Sequence, residues 1–149
     1  DDELTPKDYY YLLLGQYAQT SRLIDSSSNR GLVVADTNSL VTKAYYDYYL
    51  KESPVQDEET DTFDNLFASI LSKEKWDLIL FAEPVGAYVN DGFRDMSMAD
   101  EAIRSDFSSH LKRLKEQCLA HIPTVYLAGS YLDNYQAAKE AIDMIYQAD

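Results

Sequence analysis

Three short apolar runs constrain this chain more than anything else in it: residues 32–35 (Leu-Val-Val-Ala), 77–82 (Asp-Leu-Ile-Leu-Phe-Ala) and 123–128 (Pro-Thr-Val-Tyr-Leu-Ala). Runs of this length and character mark strands covered on both faces. Stretches of helical character, each longer than ten residues, separate them. Strands joined by helices of that length form parallel crossovers. The pattern therefore predicts an α/β fold, a parallel sheet with helices on both faces. Three strands are few for so many helices, and a missing strand is the simplest explanation.

The helices can be placed from their end signals. Thr5, Pro6 and Asp8 suit the cap, first position and capping-box acid of a first helix. It continues through 9–24, with Leu12, Leu13, Tyr17 and Leu23 as buried candidates. A polar turn at 25–31 stops it at Gly31. A tyrosine-rich helix containing Tyr45, Tyr46, Tyr48 and Tyr49 ends at Leu50. An acidic link at 52–59 precedes a helix at about 62–72, where Phe63, Leu66, Phe67, Ile70 and Leu71 recur at helical spacing. Residues 84–98 contain Gly86 and Gly92 and show little periodicity, so they read as a long loop. The longest helix is expected at 97–119, with Ile103, Phe107, Leu111 and Leu114 in one stripe. Asp133 is expected to cap a closing helix through Tyr146. There is no internal repeat, and the whole of 1–149 reads as one domain.

Composition narrows the partners. The 149 residues carry 13 Lys and Arg against 26 Asp and Glu, a net charge of −13 that repels a nucleic-acid backbone or an anionic membrane. No apolar run reaches the roughly 20 residues a membrane helix needs. A single cysteine, Cys118, excludes an internal disulfide and any cysteine-based zinc cluster. It fits a reducing cytoplasm, where the protein is expected to work. With only His110 and His121, a multi-histidine metal site is nearly excluded. The 13 tyrosines suit helix packing with hydroxyls outward better than base binding. Such faces also suit self-association into a homo-oligomer.

In open α/β sheets ligands gather at the carboxyl ends of the strands. Those ends present Asp36, Glu83 and Gly129-Ser130. A carboxylate after a rigid apolar strand is how magnesium–phosphate sites are organised, but Asp36 is also well placed to cap the following helix. Glu83 reads as a loop acid. Arg94 sits in the loop at 84–98, where a guanidinium can reach a phosphate, although Asn90-Asp91-Gly92 alone makes an ordinary turn with Arg94 solvated or paired to Asp95.

The order of these pieces is informative. Asp36-Thr37-Asn38 with Thr42 four residues on, the strand ending in Glu83-Pro84, the Tyr88…Asp91-Gly92-Phe93-Arg94 loop and the Gly129-Ser130-Tyr131 strand end together resemble the ribosylnicotinamide kinase domain of NadR-type NAD-biosynthesis proteins, a P-loop NTPase. The resemblance runs over nearly the whole chain. It implies ATP-dependent phosphoryl transfer to the 5′-hydroxyl of nicotinamide riboside, with a small nucleoside or nucleotide as ligand and ATP and Mg2+ as cofactors. Asp36 would then organise magnesium or the accepting hydroxyl. Arg94 would clamp the transferred phosphate from a lid at about 84–98 that Asp91 braces. Tyr88 would stack near the nicotinamide, and Thr37 and Asn38 would lie against substrate. Two departures stand out: Asn38 where the family usually has a second acid, and Tyr88 where Trp is common.

The largest departure is a missing loop. The family begins with a strand, G-x-x-x-x-G-K-[ST] and a helix, whereas none of the five glycines here is followed by Lys-Ser or Lys-Thr. The chain opens on Asp1 without Met, so the expectation is the C-terminal part of such a domain. It would lack the central first strand and the P-loop, be inactive alone and hold no cofactor tightly. Another class is a non-catalytic module that senses NAD metabolites or dimerises within a NadR-type regulator. A phosphoacceptor receiver domain would need an acid pair after the first strand and a lysine after the last, and the sequence offers neither.

Overall fold

The computed structural model of the chain describes residues 4–27, 31–50, 58–86, 88 and 96–147. They belong to two compact units, Asp1–Glu74 and Lys75–Asp149.

The first unit packs three helices, α1 (Pro6–Ser27), α2 (Ser39–Leu50) and α3 (Glu58–Leu71), each against the other two. The capping box opens α1 as its spacing predicts: Asp8 N–H donates to Thr5 Oγ1 at 3.4 Å and Thr5 N–H to Asp8 Oδ2 at 2.8 Å. Buried Tyr9 and Leu13 define the inward stripe of α1, which half-buried Gln16 and Thr20 continue. Leu12 and Leu23, expected inside, are 52% and 50% exposed, and Tyr17 is half-buried. One stripe suffices to meet two neighbouring helices, so apolar residues off that stripe stay outside. In the core the Tyr46 and Phe63 rings stack 3.9 Å apart, and Tyr9 meets Tyr46 edge-on at 5.7 Å. α3 is already helical at Glu58, ahead of its apolar stripe, and Glu58, Glu59 and Asp61 there complement the helix dipole.

The run at 32–35 is not a strand. Its backbone belongs to no sheet, and Leu32 and Val34 are 55% and 70% exposed. The described residues of its own unit are helical apart from short connections, so no ladder is available to it there.

The second unit contains the sheet. β1 (Ile79–Ala82) pairs in parallel with β2 (Thr124–Leu127), from Ile79 opposite Thr124 to Ala82 opposite Leu127. The α/β class holds, with two strands among the described residues instead of three. The crossover between them includes a 3-10 turn, Met96–Ala99, and α4 (Glu101–Cys118). The single long helix expected at 97–119 is therefore divided. The Asp100 carboxylate accepts from Ala102 N–H at 2.8 Å and Ile103 N–H at 3.4 Å, which restarts the helix at Glu101. At 22 residues, α1 is longer than α4.

After β2 comes α5 (Tyr131–Gln147). Its cap is Ser130, not Asp133: Asp133 N–H donates to Ser130 Oγ at 3.2 Å, while the Asp133 carboxylate takes the Ser130 hydroxyl at 2.7 Å. No described helix is long and apolar enough to cross a membrane.

Candidate functional site

In the first unit the predicted residues Asp36, Thr37 and Asn38 form the turn that enters α2. Asn38, not Asp36, is the cap: Asn38 Oδ1 accepts from Leu40 N–H at 3.1 Å, and its backbone carbonyl accepts from Val41 N–H. That leaves Asp36 exposed, with no described residue hydrogen-bonded or ion-paired to it. A carboxamide caps as well as a carboxylate, so Asn38 starts the helix without adding a second charge beside Asp36.

Thr37 has φ +69°, the left-handed region that a β-branched residue rarely enters. A side chain from α1 supports it. Gln16 Nε2 donates to Thr37 Oγ1 at 2.6 Å, and Gln16 Oε1 accepts from the Thr42 hydroxyl at 3.0 Å. Gln16 was not among the residues predicted for the site. Its signal is a polar residue on the stripe set by Tyr9 and Leu13, three residues past Leu13.

In the second unit the strand ends carry two polar arrangements. Glu83 N–H continues the ladder to Leu127 O at 2.9 Å, and the Glu83 carboxylate pairs with Lys112 of α4. The expected loop acid is thus ion-paired. Beyond β2, Gly129 N–H donates to Asn134 Oδ1 at 2.9 Å. A Cβ on Gly129 would lie 3.0 Å from Asp133 Cβ, so glycine allows the first turn of α5 to come this close.

Tyr88 is half-buried, with the guanidinium of Arg104 5.5 Å from its ring centroid. Arg104 Nη1 also donates to Met98 O at 2.9 Å and Ala99 O at 2.8 Å, tying the 3-10 turn to α4. A cation in the first turn of a helix opposes the dipole. That mismatch is the sequence signal for Arg104, which was also missed. Asp91 and Arg94 lie outside the described residues, as does most of the loop around them.

As for cofactors, the described residues contain no group of three or more His, Cys, Asp or Glu able to hold a metal ion. Mg2+ commonly takes one or two carboxylates and completes its shell with water and phosphate oxygens, a demand that exposed Asp36 can meet in part. ATP fits less well, since the sequence has no glycine-rich phosphate loop.

A parallel sheet with polar side chains at the carboxyl ends of its strands is the arrangement at which open α/β proteins bind ligands. The family model described as AAA domain matches residues 4–132, and the chain belongs to that family. Two solved structures are similar to nearly all of it. One, NadR protein in complex with NR, has a TM-score of 0.75 and 33% identity over 99% of this chain and 39% of that one. The other, NadR protein in complex with NAD and AMP-PNP, has a TM-score of 0.71 and 29% identity over 99% of this chain and 36% of that one. The chain thus spans less than two fifths of each and resembles the ribosylnicotinamide kinase P-loop domain of NadR. Among curated proteins no relative matches. The family and the two structures support a nucleotide-binding, kinase-like domain.

Proposed function

We propose that this chain supplies the acceptor side of an ATP-dependent ribosylnicotinamide kinase domain, which phosphorylates the 5′-hydroxyl of nicotinamide riboside in the cytoplasm. The observation that carries this reading is the similarity, over 99% of the chain, to a NadR protein in complex with NR. Phosphoryl transfer depends on positioning and charge neutralisation rather than on a covalent protein intermediate. Asp36 organises magnesium or the accepting hydroxyl, and Thr37 and Asn38 line the substrate. Tyr88 stacks on the base, Arg94 clamps the phosphate and Asp91 braces the lid at 84–98. The phosphate loop is supplied by a segment other than these 149 residues, so the chain alone does not transfer phosphate.

The test compares ATP turnover, with Mg2+ and nicotinamide riboside, in this chain and in a longer protein that joins it to a glycine-rich loop. Turnover is expected only in the longer protein, where Asp36→Ala lowers it by about 100-fold or more while leaving the fold intact. Phosphorylation by the isolated chain, or an Asp36→Ala variant as active as the parent, overturns the reading. A metabolite-sensing or dimerisation module is favoured by one observation, the uncharged Asn38 already engaged as a helix cap. It predicts ligand-dependent thermal stabilisation of the longer protein without turnover.

A further inference from the structure

Beside the carboxylate assigned to catalysis, the most constrained polar arrangement in the first unit is the one that joins Thr42, Gln16 and Thr37. Its hydrogen bonds have a direction. The Thr42 hydroxyl donates to Gln16 Oε1, and the carboxamide NH2 faces Thr37. Gln16 Nε2 then donates into Thr37 Oγ1. A hydroxyl that accepts there retains its own proton for another partner, and no described residue takes it. Thr37 and Asp36 are both exposed. The turn therefore presents an O–H donor next to a carboxylate acceptor.

We infer that Gln16 is a positioning residue: it holds Thr37 in its left-handed conformation and turns the Thr37 hydroxyl outward, so that Thr37 and Asp36 together bind a neutral hydroxyl-bearing group, the sugar of the nucleoside. This rests on the kinase reading above and adds to it the positioning residue Gln16 and the direction of the Thr37 hydroxyl. A sugar hydroxyl both donates and accepts, which matches one carboxylate beside one O–H. A phosphate offers only acceptors and would be repelled by Asp36. The relay also explains a costly conformation. A β-branched residue at φ +69° persists only where its surroundings hold it, and the carboxamide from α1 is the side chain that does so.

The experiment uses the longer, active protein. In Gln16→Glu the second side-chain oxygen can only accept, so the Thr37 proton turns inward and the outward donor is lost while packing is kept. Thr37→Val removes the same donor and keeps the β-branch. Each is expected to raise the nucleoside KM about three- to tenfold, the effect of one hydrogen bond, with kcat and the KM for ATP unchanged. Gln16→Leu in the Thr37→Val background is expected to add nothing further. An unchanged nucleoside KM in Gln16→Glu overturns the inference. So do effects of Gln16→Leu and Thr37→Val that simply multiply, or a loss confined to kcat and melting temperature, which marks Gln16 as structural only. Asp36→Ala serves as the control: if it abolishes turnover while the Gln16 variants behave as wild type, this inference fails and the kinase reading stands. If Asp36→Ala is fully active, the kinase reading itself fails.

Discussion

The two units bury their side chains very differently. Of the twelve buried hydrophobic residues among those described, eight lie in the first unit: Tyr9, Leu13, Leu40, Ala44, Tyr46, Phe63, Phe67 and Ile70. The second unit has Phe81, Met98, Leu114 and Leu119. Their buried polar residues differ as well. Ser39 of the first unit donates to Glu74 Oε2 at 2.6 Å, whereas Ser108 in α4 has a buried hydroxyl with no partner among the described residues. The second unit also buries Lys115, which reaches the exposed Glu116 at 2.9 Å. Three helices can cover one another around an aromatic centre. A two-stranded sheet has two open edges and little area to cover. The first unit is therefore expected to hold most of the stability of the chain.

The largest test of this contrast is at the aromatic centre. Phe63 is fully buried, and its ring lies on Tyr46. Phe63→Ala is expected to cost about 3–5 kcal/mol in urea unfolding followed by circular dichroism. Phe81→Ala in the second unit, where the ring meets the 44%-exposed Tyr126, is expected to cost markedly less. Equal losses would break the comparison. The two serines offer a smaller test with opposite signs. Ser39→Ala removes a satisfied buried hydroxyl and is expected to cost about 1–2 kcal/mol. Ser108→Ala removes an unsatisfied one and is expected to be neutral or stabilising by up to about 1 kcal/mol.

The sequence carried the local signals well and the covering of surfaces poorly. The Thr5/Asp8 box, the strands at 79–82 and 124–127 and the stripe of Phe63, Phe67 and Ile70 follow from chemistry within a few residues. The run at 32–35 has the composition of a buried strand, but a strand also needs a neighbour, and composition carries no information about that. Caps were misplaced by a few residues because Asp36, Asn38, Ser130 and Asp133 are all competent, and only backbone geometry selects among them. For the candidate site, the structure places Asp36 and Thr37 in the turn that enters α2, next to each other as their order in the chain requires. The contacts of Gln16 with Thr37 and of Arg104 with Tyr88 come from other helices and were not legible in the sequence.

Alkaline pH should weaken the first unit through Tyr9 and Lys43, in addition to Tyr46, whose phenol burial also raises. Burial pushes the Tyr9 phenol up to about 12, so its neutral form is favoured by folding. Burial works to lower the Lys43 ammonium, but hydrogen bonding and charge from Asp47, with Asp64 adding to it, outweigh this and raise it. All three groups bind protons more tightly when folded. Their contribution is complete below the unfolded values near pH 10 and is lost as pH rises through the folded ones. The urea midpoint is expected to be insensitive to these groups around neutrality and to fall between about pH 10 and 12. Tyr9→Phe should flatten part of that fall. A Tyr9→Phe profile identical to the parent's would show that the phenol is not desolvated and that the aromatic centre is looser than described.

The smallest effect is expected on α5, and there a null result is informative. None of its residues is fully buried, and Tyr131, Leu132, Tyr135, Met144 and Tyr146 are each more than half exposed. Such a face contributes little to the stability of a lone chain, so Leu132→Ser, at a position 72% exposed, is expected to change unfolding by less than about 0.5 kcal/mol. The measurement should be repeated across protein concentration. A loss above 1 kcal/mol that grows with concentration means a second copy covers the face, because self-association stabilises by mass action. A loss of the same size at every concentration means that more of this chain lies over α5 in solution. The poorer burial of the second unit would then be incomplete covering, not intrinsic weakness, and the contrast between the units would have to be redrawn.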